Sequence, residues 1–552
     1  MKSRLEYSWA PASFAVISPL VVATVVVACS DVGAPAATAL AVDQPAKASA
    51  FLEAQRCALC HSRTPTAMAL TTATGDDASP HGLWRATAMA NAFRDPYWRA
   101  QMAREVEKAP QRKTAIESLC LRCHAPMASH AARLAGEPEL TIEAAVNEPL
   151  ARDGVSCTVC HQAQPDGLGT AASFGGKLEI RDEKRIFGPY TDPAPGPMHM
   201  HTGYTPTHGE HVTKSALCGA CHTLYTQAHA GSPPFLEQAP YLEWRNSAFS
   251  DESGATADSR TCQQCHMPDL GTMKIARAPG GFDFNIAVRD HVRGHAFVGG
   301  NALLLDMLRE HATELGVDAP ATALQRMADA TRAQLAHSTA RIEVLGAHRT
   351  ASGLEFDVRV QNLCGHKLPT GYPARRAWIE VTVRAGREAL FASGEVDERG
   401  RLVGVADELA IPHCDRVDSA NQVPVYEMVA VDARGSPTTS LTEMVARRKD
   451  TRLLPRGWRA NGPHADETAP IGVDGDDDFA DGADTVSYSI DLGGKGAGQL
   501  TVLARLRYQT IPPAWVESLR SSATPEAAQF VRMYDGASHE PETLALAVAV
   551  IE

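Results

Sequence analysis

The hydrophobic pattern of the chain changes character along its length. After an apolar run at 14–28, residues 51–300 read as helix fragments broken by Pro, Gly and His, without a sustained period. Residues 302–340 are rich in Ala and Leu at helical spacing, with a break at 316–320, which predicts two joining helices. Beyond 341 the pattern alternates or turns β-branched. It predicts strands over 341–345, 354–360, 377–384, 389–396, 485–490, 499–507 and 543–551, with Gly and Asp turns between them. Short strands in such a series favour a β-sandwich. The expected architecture is multi-domain: an irregular, mainly α-helical domain at 51–300, a helical connector at 301–340 and a β-sandwich-like domain at 341–552.

Lys2 and Arg4 precede the apolar run, whose length suits a secretory signal peptide over 1–28 rather than a stable span. The run ends in Val26-Val27-Ala28-Cys29-Ser30, which resembles the lipobox of bacterial lipoproteins, so lipidation at Cys29 is expected. Residues 29–50 are rich in Ala, Pro and small polar residues and read as a flexible tether. This predicts an exported chain, held to a membrane by its lipid as a periplasmic or outer-membrane lipoprotein. Ser30 is the more compatible with the outer membrane, and surface exposure is left open.

Among the 552 residues, 52 Lys and Arg stand against 65 Asp and Glu, for a formal net charge of -13. The average surface field would repel a polyphosphate backbone, so nucleic acid is not expected as a partner.

Ten of the 13 cysteines fall into five copies of one pattern. These are Cys57-Ala-Leu-Cys60-His61, Cys120-Leu-Arg-Cys123-His124, Cys157-Thr-Val-Cys160-His161, Cys218-Gly-Ala-Cys221-His222 and Cys262-Gln-Gln-Cys265-His266. C-x-x-C-H is the attachment motif of c-type haem: two thiols three positions apart reach the two vinyl groups on one porphyrin edge, and the next imidazole lies under the iron. Chance would supply roughly 0.01 such motifs at this composition. Zinc knuckles pair two C-x-x-C units around one ion, and disulfides need no histidine, so an odd number of pairs with His after every one argues against both. Five covalently attached haems are the expected cofactors, and the 51–300 domain becomes a pentahaem cytochrome domain whose porphyrins supply much of the buried surface. Motif spacings of 63, 37, 61 and 44 residues exclude a short tandem repeat. Cys364 and Cys414 remain, as one disulfide or as two buried thiols.

The ligand at each iron's sixth position separates carriers from enzymes, because His or Met closes the site whereas an empty position binds substrate. Nine histidines outside the motifs lie in the haem-bearing stretch, namely His81, His130, His199, His201, His208, His211, His229, His291 and His295. The cluster His199, His201, His208 and His211 and the pair His291 and His295 are the preferred candidates, because Gly-containing loops can bend around a porphyrin edge. Met89 is a further candidate, or else core filler beside Trp84 and Phe93. His366, in Gly365-His366-Lys367 after a strand, could reach across the domain boundary. Arg375, Arg376, Arg452 and Arg456 read equally as propionate partners or ordinary surface arginines.

Several segments resemble proteobacterial multihaem cytochromes related to the cytochrome c554 type. They are Asn91-Ala92-Phe93-Arg94-Asp95-Pro96-Tyr97-Trp98, Gly154-Val155-Ser156, Thr223-Leu224-Tyr225 and Tyr241-Leu242-Glu243-Trp244-Arg245-Asn246-Ser247, then Val298-Gly299-Gly300-Asn301, Gly365-His366-Lys367-Leu368-Pro369-Thr370-Gly371-Tyr372-Pro373 and Lys449-Asp450-Thr451-Arg452-Leu453-Leu454-Pro455. The resemblance implies electron transfer between closely packed haems, with redox proteins as donor and acceptor and no catalytic residue required. Two other readings stay open: a multihaem oxidoreductase acting on a small nitrogen or sulfur compound at one open iron, and a conduit whose β domain docks a redox partner.

Overall fold

Strands form at all of the places where alternation predicts them. The structure is a computed structural model that describes residues 49–229 and 231–552. Its strand-rich half contains β1 (Ala340–Arg349), β2 (Gly353–Asn362), β3 (Arg376–Ala385), β4 (Glu388–Ser393), β5 (Arg416–Val417), β6 (Val425–Tyr426), β7 (Ala483–Asp491), β8 (Leu500–Gln509) and β9 (Glu542–Ile551). One sheet has the order β6-β3-β8-β9 with β4 on the edge of β3, and the other has the order β1-β2-β7-β5. All these pairings are antiparallel except β5 with β7.

The two sheets enclose one apolar core. Phe356, Val358, Val360, Val486 and Tyr488 from one meet Val381, Val383, Val502, Ala504 and Leu506 from the other. Alternation is clean on β7, where every second residue from Asp484 to Ile490 is buried. It fails on β3, whose first eight residues are all buried, because Trp378 on its other face is covered by Leu402, Ile411, Val423 and Val425. A strand buried on both faces loses the polar half of its pattern.

The helical half has small apolar clusters instead of one core. Its longest helix, α1 (Pro96–Lys108), starts where Asp95 Oδ1 accepts from the amides of Tyr97 and Trp98 and where Pro96 needs no hydrogen-bonding amide. The joining segment forms α2 (Ala302–Glu310), a single turn at Ala312–Leu315, and α3 (Ala321–Ser338). Gly316 ends the turn in the left-handed conformation.

Residues 49–552 form one compact unit. Two late helices absent from the strand forecast, α4 (Pro513–Arg520) and α5 (Pro525–Gly536), pack on α1 of the haem-motif half. There Tyr97 and Ala100 share a cluster with Met428, Ala430, Met444, Trp515 and Phe530. Glu105, also on α1, accepts from Ser440 Oγ and from the amides of Leu441 and Thr442.

The expected signal peptide and Cys29 lie outside the described residues, as does the expected tether except for its last two positions. There the tether reading needs correction: Ala50 is buried, and its carbonyl accepts from Tyr204 Oη at 2.6 Å and Gln162 Nε2 at 3.1 Å. Cys364 and Cys414 are separate thiols that donate to the carbonyls of Thr339 and Arg416.

Candidate functional site

Each C-x-x-C-H motif lies in a helical turn. The first ends helix Ala54–His61, the second ends Lys113–His124, the third forms Cys157–Cys160 with His161 as its cap, and the fifth forms Cys262–His266. In the fourth, Ser215–Gly219 is followed by amide bonds from Cys221 and His222 to the Cys218 carbonyl. Residues i and i+3 of a helix share a face, so both thiols of a motif point to one side. The fifth turn is pinned by a capping box between Thr261 and Gln264. The third is seated by Gly154, with φ +61°, where a Cβ would stand 2.5 Å from the Ala90 carbonyl oxygen. Trp84 Nε1 donates to the Val155 carbonyl there, and the Val155 amide donates to Met89.

One continuous cavity of about 1580 Å³ is lined by all ten motif cysteines and all five motif histidines. Between motifs, Cys57 lies beside Cys157, Cys123 beside Cys221, and Cys218 beside Cys262. Cys160 lies within electrostatic range of Cys218 and Cys221, which links the first and third motifs to the rest.

The imidazoles test whether the cavity suits haem. The Nδ1 atoms of His61, His124, His161 and His266 bond to the carbonyls of Ile275, Ala92, Phe187 and Val298 at 2.9, 3.0, 2.6 and 2.6 Å. A ring donating through Nδ1 is fixed in the tautomer whose Nε2 lone pair is free for a metal. Burial pushes His124 and His222 down to about 4, so both are neutral, as ligation requires.

Two of these rings face a second imidazole. His161 and His295 have ring centroids 6.2 Å apart and planes inclined by 21°, and His266 and His366 stand 6.3 Å apart at 13°. Parallel rings in contact would stand much closer. Two metal–nitrogen bonds of about 2 Å plus two ring radii of about 1.1 Å total about 6 Å, so the spacing of each pair is that of two imidazoles that would hold one metal ion between them. The far rings are also oriented through Nδ1, His295 to the Arg293 carbonyl and His366 to that of Lys367. The residues therefore fit haem.

Comparison with known proteins agrees with this geometry. Residues 56–162 match the family model described as cytochrome c554 and c-prime. The chain is a multihaem c-type cytochrome. Its fold is similar to that of a penta-heme cytochrome c552 from Thermochromatium tepidum, with a TM-score of 0.51 and 17% identity over 91% of this chain and 99% of that one. No curated protein matches the cytochrome.

The other candidate ligands are scattered. Met89, His201 and His291 line the cavity, although His201 is exposed and His291 is bound through Nδ1 to Asp269 at the surface. His199 and His208 are exposed and do not line it. His211 also stays off the cavity wall, with Nε2 held by the Ala163 carbonyl at 2.8 Å. These three rings lie away from the cavity, on the Pro195–Thr202 helix, the Thr205–His208 strand and the Glu210–Thr213 turn.

Two histidines outside the preferred candidates are buried. His81 is buried on the cavity wall of the cytochrome, with Nδ1 bonded to Ser62 Oγ beside the first motif. His130 is buried, and its Nε2 has no hydrogen-bond partner.

Of the four arginines, Arg376 and Arg452 are buried and committed to carboxylates, Arg456 pairs with Asp258, and Arg375 lines the cavity. Arg452 belongs to a buried network that holds the His366 loop. Asp450 binds Lys367 Nζ at 2.8 Å and Arg452 Nε at 2.8 Å, and Arg452 reaches Glu243 at 3.0 Å. Glu243 in turn accepts from the Lys367 amide and from Thr370 Oγ1. A carboxylate just before the fifth motif thus grips the loop that presents the ring facing that motif's histidine.

Proposed function

We propose that the protein is an electron-transfer lipoprotein carrying five covalently attached haems. The observation that supports this most is the continuity of the site: all five attachment motifs line one cavity, with cysteines of the first and third, the second and fourth, and the fourth and fifth motifs side by side. Bound haem supplies reversible one-electron chemistry at iron. The chain contributes the rest: paired thiols tether the ring, Nδ1-anchored imidazoles orient it, and the low-polarity wall excludes water. His61, His124, His161, His222 and His266 would be the proximal ligands of the haems, and His295 and His366 would close the irons of the third and fifth motifs. Donor and acceptor are redox proteins, and the strand-rich half, read as a β-sandwich, serves as their docking scaffold. Export and lipidation at Cys29 place the cytochrome on the outer side of the cytoplasmic membrane or on the outer membrane.

Intact-mass measurement of the mature protein tests the count, with five haem additions expected and fewer than five refuting it. Cys29→Ala tests the anchor and should release the protein from membranes.

A second reading, a multihaem oxidoreductase open at the second motif, is favoured by Glu237. This residue lines the cavity, is buried with Oε2 unpartnered, and is pushed up to about 8 by burial and then by Glu105 and Cys123. A protonated carboxyl beside an iron is the acid such chemistry uses. Carbon monoxide added to the ferrous protein separates the readings: a shifted Soret band favours the enzyme, and an unshifted one the carrier.

A further inference from the structure

The strand-rich half holds a second candidate metal site, remote in sequence from every attachment motif. Asp415 immediately precedes β5, Asp484 is the second residue of β7, and Asp476 and Asp478 lie on the loop leading into β7. One carboxylate oxygen of each lies within 4.8 Å of the other three. Four like charges so close repel strongly unless something positive stands among them. Among the described residues, the one basic side chain paired with any of them is His413, whose Nε2 meets Asp476 Oδ2 at 2.7 Å.

An independent observation points to a ligand. Asp484 is 0% exposed; its Oδ2 accepts from Tyr426 Oη at 2.6 Å, while its Oδ1 is buried with no hydrogen-bond partner. A buried, unpartnered carboxylate oxygen is costly, a penalty that a bound cation removes. The remaining hydrogen bonds set the loop's shape: Asp476 Oδ1 accepts from the amides of Asp478 and Phe479, and Asp478 Oδ1 from that of Thr485.

We propose that Asp415, Asp476, Asp478 and Asp484 bind one calcium ion that clamps the 472–482 loop to β5 and β7. The ligand set is all oxygen, as a hard cation prefers, and no thiol or free imidazole completes it. A spread within 4.8 Å fits inside the about 4.6–5.2 Å that separates opposite oxygens around Ca2+, and carboxylates drawn from a loop and two strands suit the flexible shell of Ca2+ better than the strict octahedron of Mg2+. Exposed Asp415 and Asp478 leave a solvent edge through which the ion enters and where water completes its shell.

The test is calorimetric titration of CaCl2 into the chelator-treated holoprotein, with MgCl2 in parallel. The expected result is one Ca2+ per chain with a Kd no weaker than about 10⁻³ M, a higher Tm with CaCl2, and an unchanged haem spectrum. Asp484→Asn keeps the acceptor for Tyr426, and Asp478→Asn alters an exposed side chain; each should weaken binding at least about tenfold by removing a charged ligand. If Asp484→Asn fails to fold, Asp478→Asn carries the test. Absence of binding at millimolar CaCl2, equal binding of MgCl2, or undiminished binding in Asp478→Asn would each overturn the site. So would a Tm that rises on acidification and ignores CaCl2, because a shared proton would then occupy the cluster.

Discussion

Lys367 Nζ stands 2.8 Å from Asp450 Oδ2, and both side chains are completely buried. Although burial alone would raise the Asp450 carboxyl, Arg452 and then Lys367 hold it far below the usual carboxylate range. Burial also pushes Lys367 down, to about 8, so the pair survives because Arg452 and Arg447 share the carboxylate. Lys367→Met leaves a buried anion short of one partner and should cost about 3–5 kcal/mol in denaturant unfolding. The double change Lys367→Met with Asp450→Leu would leave Arg452 unpaired on that side and should not restore the wild-type midpoint. Full restoration would show that the network contributes nothing specific.

His366→Ala should leave the fifth motif intact while opening one iron. The ferrous variant is expected to gain a carbon monoxide shift of one haem's amplitude, and His295→Ala should do the same at the third motif. Exogenous imidazole should reverse both shifts. A spectrum indifferent to both substitutions would remove these rings from the coordination sphere.

Glu237 gives a signed dependence on pH. Its carboxyl titrates at about 8 when folded against 4.5 for the ordinary side chain, so between those values the folded state holds a proton that the unfolded chain has released. Stability therefore falls as pH rises through this window, and all of the penalty is present above about 8. Glu237→Gln removes the titration. The Tm of the variant should gain on that of the wild type from pH 5 to pH 8.5, and a constant difference would contradict the assignment.

Gly154→Ala and Gly136→Ala separate conformational from steric cost. Both glycines have positive φ, but a Cβ on Gly154 would meet the Ala90 carbonyl oxygen at 2.5 Å, whereas one on Gly136 meets nothing within 4 Å. About 1 kcal/mol is expected at Gly136. At Gly154 about 3 kcal/mol is expected, with incomplete haem loading at the third motif. Equal Tm losses would mean that the seat of that motif can relax.

Much of this was legible from residue order, for identifiable reasons. Strand alternation is a local signal, so β1, β2, β7, β8 and β9 could be read from their own residues. The two-residue strands β5 and β6 exist through their partners, and no window that short carries a period. Helices α4 and α5 had a usable signal, because Pro opens each and Trp515, Val516 and Leu519, like Phe530, Met533 and Tyr534, fall at helical spacing. The attachment motifs are contiguous and were unmistakable. Which distant imidazole faces which motif is a tertiary fact: His295 and His366 were candidates among several, and His81 gave no local sign of its burial beyond the Ser79-Pro80 helix start that precedes it.

The contacts between Cys57 and Cys157, Cys123 and Cys221, and Cys218 and Cys262 constrain the order of biosynthetic events. Folding brings together thiols that belong to different tethers, and an oxidant acting on a folded, unloaded chain would join them across motifs, ruining six attachment points at once. Attaching haem while the polypeptide is still extended avoids this, because each sulfur is then capped before its neighbour from another motif arrives.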